Sequence, residues 1–85
     1  MTETRIFGLL ITDRIKEAGR IQGVLARNSR LIRSRLGFHE LNDNVCSRVG
    51  IILLHLTGTV AEWNQFEREV REIEGVEIQV MSFVY

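Results

Sequence analysis

Apolar residues recur along this chain with two spacings, and each spacing predicts a different secondary structure. A spacing of three and four residues is typical of amphipathic helices, whereas alternation or a short apolar run is typical of strands. Helical spacing covers residues 14–28 and the segment after Thr59, in which Trp63, Phe66 and Val70 form one stripe. Strand patterns cover four segments, at residues 5–12, 31–38, 48–57 and 76–84.

Polar residues and a glycine mark where the predicted helices begin and end. Asp13 stands where its carboxylate can accept hydrogen bonds from the first turn of the first helix, and Asn28 is the expected stop. Thr59 and Glu62 have the spacing of a capping box, in which each side chain bonds a backbone amide of the other residue's turn. Gly75 is the expected left-handed C-cap of the second helix.

The predicted order β-α-β-β-α-β, over 85 residues, indicates a single α+β domain. That order is typical of the ferredoxin-like sandwich, a four-stranded antiparallel sheet with two helices on one face. We expect the first and third strands to be central and the second to lie at an edge. The polar segment "HELNDN", residues 39–44, is expected to form the turn between the second and third strands.

The first and third strands are apolar on both faces, although two helices can cover only one. Alternation separates Ile6 and Leu10 from Phe7, Leu9 and Ile11 in the first strand, and Ile51 and Leu53 from Ile52, Leu54 and Leu56 in the third. An antiparallel sheet with one solvated face should alternate between apolar and polar residues. A large exposed apolar patch usually marks an interface. We therefore expect the open face to pack against a second copy, giving a dimer or tetramer.

Composition excludes several classes of protein. Hydrophobic residues make up 45% of the chain, which argues against a disordered segment. The start "MTETRIFG" lacks a signal-peptide pattern, and no apolar run is long enough to span a bilayer. With a single cysteine, Cys46, no intrachain disulfide can form, so we expect a cytoplasmic protein with no membrane contact.

The net charge is zero, yet the charges are unevenly distributed. Residues 1–50 carry nine Lys and Arg against five Asp and Glu, whereas residues 51–85 carry two against six. A neutral chain without a helix-turn-helix or stacking aromatics on its third strand is not expected to bind nucleic acid directly. The opposite charges of the two halves leave ion pairing between subunits open.

Two arginines, Arg33 and Arg35, alternate along the second strand, in "RLIRSRLGFHE". Simple alternation puts them on one face, with Ile32, Ser34 and Leu36 on the other. Arginine is suited to forked contacts with carboxylates and phosphates. We expect them to guard a sheet edge and to pair with carboxylates of a second copy, and a bound anionic ligand is the alternative.

Nearly the whole chain resembles the iron-only hydrogenase system regulators, which are short single-domain proteins with an ACT-like fold. The resemblance rests on "DRIKEAGRIQGVLARNSRLIRSRLGFH", residues 13–39, together with the later "GIILLHLTG" and "IEGVEIQVMS". The loop of residues 39–48 looks longer than in that family, and His39 stands where a proline is common. The resemblance implies a non-enzymatic regulatory domain that self-associates and binds small ligands at subunit interfaces.

In ACT-like domains such ligands lie near the first strand–helix junction, which is Thr12-Asp13-Arg14 here. The resemblance therefore makes Asp13 and Arg14 candidate ligand-binding residues, alongside Arg33 and Arg35. The junction lacks the glycine that lets the backbone approach an amino acid in many ACT domains. An amino-acid ligand is therefore not supported, and a plain helix cap is the other interpretation of Asp13.

A related domain at the C-terminus of nickel-responsive repressors binds metal through histidines and a cysteine. This chain offers His39, His55 and Cys46, and Leu53 occupies a neighbouring ligand position. A complete nickel site is thus absent, although two copies could bring His55 and Cys46 together in a zinc or nickel site. We expect no metal and no cofactor.

One enzymatic alternative is an acylphosphatase. "GRIQGVLAR", residues 19–27, is similar to the phosphate loop of those enzymes, in which Arg27 would bind an acyl phosphate and Asn42 or Asn44 would orient water. That loop must follow the first strand directly, whereas helix-compatible residues intervene here. A purely structural oligomerisation module is the remaining alternative.

Overall fold

The computed structural model describes the backbone of residues 1–41 and 46–85, and the side chains of residues 1–13, 19–38 and 49–85. The predicted order of elements is confirmed, with a short 3-10 helix, Ser29–Leu31, added before the second strand. The main elements are β1 (Glu3–Ile11), α1 (Arg14–Arg27), β2 (Ile32–Leu41), β3 (Cys46–Leu56), α2 (Val60–Arg71) and β4 (Val76–Val84).

The four strands form one antiparallel sheet in the order β2-β3-β1-β4. The first and third strands are central and the second lies at an edge, as predicted. This order, with two helices, is that of a ferredoxin-like fold. Both helices of the described chain are too short or too polar to cross a membrane.

The hydrophobic core lies between the sheet and the helices. Alternate residues of the central strands, such as Phe7 and Leu54, point into this core and are fully buried. The Phe7 ring packs on Phe66 of α2 at a centroid distance of 5.4 Å and an angle of 50°. Tilted aromatic pairs of this kind add to the stability that burial alone provides. The other core residues are Leu9, Ile11, Ile21, Val24, Leu25, Leu31, Ile52, Leu56, Trp63, Val70, Ile73 and Ile78.

The beginning of α2 follows the sequence prediction. The Thr59 hydroxyl accepts a hydrogen bond from the Glu62 backbone N–H, and the Glu62 carboxylate accepts one from the Thr59 backbone N–H. The predicted capping box is therefore confirmed. Gly58, immediately before the cap, has a φ of 114°, a conformation that residues with a side chain rarely adopt.

The end of α2 differs from the prediction, because Gly75 is not its C-cap. The helix ends at Arg71 and Glu72 is the cap, with a right-handed conformation. The buried Ile73 then donates its backbone N–H to the Val70 carbonyl oxygen, so the chain continues to turn while filling the core. Gly75 does have a positive φ, 84°, but it leads directly into β4.

The β2–β3 hairpin also differs from the prediction. Residues 39–41, expected in a turn, extend β2 to Leu41, and residues 42–45 lie outside the described chain. Near the start of β2, Ile32 pairs with Leu56 while Ser34 pairs with the adjacent His55. Arg33 is therefore the extra residue of a β-bulge, which changes how the faces of the strand alternate.

Candidate functional site

The sheet face that points away from the helices is apolar and uncovered. At its centre Ile6, Leu10 and Leu53 are only half-buried. Around them are six side chains that are each between 43% and 55% exposed: Leu36, Phe38, Val49, Ile51, Met81 and Phe83. We call these nine residues the open face.

The sequence-based division of the central strands between two faces is confirmed. Ile6 and Leu10 lie on the open face, as do Ile51 and Leu53, while their sequence neighbours are buried in the core. The contributions of β2 and β4, including Phe38 and Phe83, were missed. Along β4 the available signal was the two-residue spacing of Met81 and Phe83, which places both on one face.

Charge is nearly absent from the open face. Glu77 is the one charged side chain that strand pairing places on the open-face side of the described sheet. It lies there because it pairs with Leu10. Gly8 leaves a depression of about 280 Å³ in the middle of the sheet, bounded by Leu10, Ile51 and Gln79. This surface therefore offers shape and apolar area rather than polar chemistry.

His55 adds a further polar side chain on the open-face side, where it pairs with Ile6. Its Nε2 atom lies 2.9 Å from the Thr4 hydroxyl oxygen on the neighbouring strand. Within the side chains that the structure describes, no group of three His, Cys, Asp or Glu residues is placed to hold a metal ion. The side chains of His39 and Cys46 lie outside that set, so the predicted absence of a His55–Cys46 metal site stays a prediction.

The structure corrects the predicted position of the second-strand arginines. Arg35 pairs with Leu54, which is buried under the helices, so Arg35 lies on the helix side of the sheet and not at the rim of the open face. Ile32 shares that side, whereas Ser34 and Leu36 pair with open-face residues. The bulge at Arg33 is the physical reason, because its extra residue interrupts simple alternation.

The two arginines instead line a groove between α1 and β2. Arg35 donates from Nη1 to the Gln22 side-chain oxygen of α1 at 3.5 Å. Arg33 donates from Nη2 to the Thr57 hydroxyl at 3.4 Å. The groove has a volume of about 390 Å³. We call it the arginine groove; besides the two arginines it is lined by Gln22, Leu25, Ala26, Ser29, Ile32 and Ser34.

The candidate residues of the strand–helix junction are not part of this groove. Asp13 is half-buried and directly precedes α1, at the position expected of an N-cap, and the Arg14 side chain lies outside the described set. Arg35, Leu54 and Phe7 are aligned across three strands. β1 ends at Ile11, four positions after Phe7 or roughly 13 Å along the strand direction at about 3.3 Å per residue, and Asp13 lies beyond that end. Asp13 therefore does not share one site with Arg33 and Arg35.

The acylphosphatase alternative loses its structural basis. Residues 19–27 lie within α1, whose backbone amides bond to carbonyls of the same helix. They therefore cannot form a loop that binds phosphate through backbone N–H groups. Asn42 and Asn44, the proposed water-orienting residues, lie outside the described chain.

Other charged residues form defined pairs on the helix side. The Glu3 carboxylate accepts from the Ser82 hydroxyl at 2.7 Å and from Arg5, and these two hydrogen bonds lower the pKa of Glu3. The Arg5 guanidinium also lies 5.2 Å from the centre of the Trp63 ring, a cation–π distance. This cluster connects β1 to β4 and α2.

Comparison with known proteins bears on the fold. No protein-family model matches the chain, and no curated protein sequence matches it. The solved structure of an uncharacterized protein from Thermotoga maritima is similar, with a TM-score of 0.81 and 19% identity. That match covers 98% of this chain and 100% of the other.

Two further structures share the architecture. A de novo designed protein has a TM-score of 0.58 and 17% identity, with 99% of both chains covered. A formyltetrahydrofolate deformylase from Pseudomonas putida has a TM-score of 0.57 and 7% identity. There the match covers 92% of this chain but 28% of the deformylase. At these identities the likeness concerns the fold alone.

Proposed function

We propose that this chain is a small, non-catalytic regulatory domain of the cytoplasm that acts by self-association through the open face. The observation that carries the proposal is an apolar sheet face, built by the two central strands, that no part of the described chain covers. The sequence resemblance to the iron-only hydrogenase system regulators supports a regulatory role in that system.

The exposed apolar area supports an interface of useful size. The six exposed side chains of the open face present on the order of 500 Å², at the upper end of the largest patches that monomers carry. The half-buried central residues and the flanking polar groups add to it. A standard interface needs about 800 Å² from each partner, which a flat four-stranded sheet of this size can supply.

A second copy is the partner that this surface fits best. Homodimer interfaces are more apolar than transient ones and their cores are depleted in charged residues. The open face matches that description, with Glu77 of the edge strand β4 as its charged residue among the described side chains. Two such faces can meet about a two-fold axis, where the depression at Gly8 leaves room for side chains of the other copy.

Ile51→Glu tests the interface. Ile51 is 43% exposed near the centre of the open face, so a charge there is buried and unpaired only when two copies associate. Light scattering should give at least twice the 9.8 kDa chain mass for the parent at micromolar concentration, and the variant should dissociate at least ~10-fold more readily. Leu36→Glu, on the edge strand, provides a second variant that disturbs the central strands less.

Val60→Glu is the matched control. Val60 is 40% exposed at the first position of α2, away from the open face. A glutamate there is stabilised by the positive N-terminal end of the helix dipole. The control should self-associate like the parent. A parent protein that stays monomeric at 9.8 kDa, or variants that associate as the control does while circular dichroism shows them folded, would contradict the proposal.

The regulatory role is tested in the host. Replacing the chromosomal gene with the Ile51→Glu allele should alter iron-only hydrogenase activity in the same direction as deleting the gene. The Val60→Glu allele should leave that activity unchanged. Hydrogenase activity that is identical in the deletion strain and its parent would remove the regulatory proposal while leaving self-association standing.

A further inference from the structure

We infer that the arginine groove binds a small organic anion, which carries a carboxylate or phosphate group on an apolar body. The groove lies between α1 and the edge strand β2, on the helix side of the sheet. It therefore belongs to a different surface from the open face. The inference rests on three features of the groove: its free hydrogen-bonding capacity, its unbalanced charge and its apolar floor.

The two guanidinium groups have hydrogen-bonding capacity to spare. Each guanidinium carries five N–H donors, whereas Arg33 and Arg35 each make one side-chain hydrogen bond, to a neutral oxygen. These bonds, at 3.4 and 3.5 Å, are longer than the usual 2.7–3.2 Å. An oxyanion could replace such weak partners at little cost, because charge-assisted hydrogen bonds are shorter and stronger.

The charge of the groove is not balanced within the described chain. Elsewhere Arg30 lies 2.8 Å from Glu62, and Arg71 lies 2.9 Å from Glu67. By contrast, no acidic residue among the described side chains lines the arginine groove. Two positively charged guanidinium groups, side by side in a concave surface, attract an anion to the space between them.

A second depression, between the two helices, is lined by positive and negative charges in equal number. It is lined by Arg20 and Arg27 together with Glu69 and Glu72. Its opposite charges lie close together, so it has no net attraction for an ion of either sign. The arginine groove differs from it in carrying a net positive charge among its described lining residues.

The floor of the groove suits an apolar body. Leu25, Ala26 and Ile32 line it, together with Ser29 and Ser34. Ligand pockets are typically apolar with a few placed polar groups, and their volumes begin at about 300 Å³. At about 390 Å³ the groove accommodates a molecule the size of a substituted benzene ring with its charged group. A bare inorganic ion would leave the apolar floor unused.

The experiment is a titration of the isotope-labelled protein followed by nuclear magnetic resonance. The probes are benzoate, phenyl phosphate and the neutral benzyl alcohol, which share an aromatic body and differ in the charged group. We expect saturable shifts of the backbone amides of Gln22, Ser29 and Arg35 with the anions. The anion that binds more tightly identifies the preferred head group, and benzyl alcohol should produce no saturable shifts.

Variants establish the role of the arginines. Arg33→Gln and Arg35→Gln should each weaken anion binding by about tenfold or more, since each removes a charge-assisted hydrogen bond. Arg68→Gln is the matched control, because Arg68 is exposed on α2 and also bonds a neutral oxygen, that of Gln65. The control removes the same charge outside the groove and should change binding less than about twofold.

Three results would overturn the inference: no saturable shifts with either anion, equal weakening in Arg35→Gln and Arg68→Gln, or benzyl alcohol binding as tightly as the anions. The proposed self-association is read out separately. Arg35 lies on the opposite side of the sheet from the open face, so Arg35→Gln should keep the oligomeric mass of the parent. Loss of anion binding and loss of self-association can thus be told apart.

Discussion

The side-chain amide of Asn28 connects the two helices: its Nδ2 atom donates to the Glu69 carboxylate of α2 at 2.6 Å and to the Val24 carbonyl oxygen of α1 at 2.9 Å. Asn28 is 8% exposed and is the buried polar residue of the described chain. It ends α1 and fixes where α2 lies against it. A buried amide with both donors used stabilises one helix arrangement over others.

Asn28→Ala should lower the free energy of unfolding by about 1–3 kcal/mol, because the Glu69 carboxylate loses its buried donor and α1 loses its terminal bond. Urea unfolding of the parent and variant measures the difference. Gln65→Ala, which removes an amide at an exposed position of α2 where it bonds only the nearby Arg68, should cost at most about 0.5 kcal/mol. Equal losses in the two variants would show that the buried bridge contributes nothing specific.

Gly58→Ala should destabilise the fold by about 1–3 kcal/mol, since φ is 114° there and an added Cβ would lie 2.8 Å from the buried Leu31 side chain. Gly19→Ala provides the contrast. Gly19 lies within α1 with no atom near its missing Cβ, so alanine should stabilise the helix by about 1 kcal/mol. Thermal unfolding of both variants checks the sign, and shifts in the same direction would contradict the expectation.

Glu62 should make stability depend on pH. Hydrogen bonds from the Thr59 hydroxyl, which has the larger effect, and from the Arg30 guanidinium lower the pKa of the Glu62 carboxylate from the ordinary 4.5. The charged form is therefore favoured in the folded state. Its contribution is fully present above pH 4.5 and is lost as the pH falls through the lowered folded-state pKa.

The Glu62→Gln variant isolates this contribution. The variant should be less stable than the parent at pH 7, and the difference should shrink at pH 3, because below pH 4.5 the unfolded parent takes up a proton that the folded parent resists. Urea unfolding at both pH values provides the measurement. If the difference between parent and variant were the same at pH 3 as at pH 7, the carboxylate charge would not be its source.

Metal is expected to leave the protein unchanged. The His55 ring nitrogen lies against the Thr4 hydroxyl, and no set of three ligands occurs among the described side chains. Adding nickel or zinc should therefore not raise the unfolding temperature of the untagged protein. Elemental analysis that finds stoichiometric metal, lost in His55→Ala, would show that His55 and Cys46 form a site between copies.

Alternation predicted the faces of β1 and β3 because these strands are regular and pair on both sides. The same rule failed on β2, where Ile32 and Arg35 lie three positions apart and yet face the same way. A bulge depends on how a strand pairs with its neighbour, and the apolar pattern of one strand carries no sign of it. The arginine groove was unpredictable for a further reason, since it requires α1 to lie beside β2.

Because of the bulge, β2 contains one residue, Arg33, that has no pairing partner on β3. Deleting Arg33 would restore one-to-one pairing, with Ile32 still opposite Leu56 and Ser34 still opposite His55. Deleting Gly37 instead would transfer every later residue of the strand to the other side of the sheet. The chain can therefore lose one residue at Arg33 without exchanging its apolar and charged sides. Variation in length by a single residue is tolerated at that point of the edge strand and excluded in the middle of it.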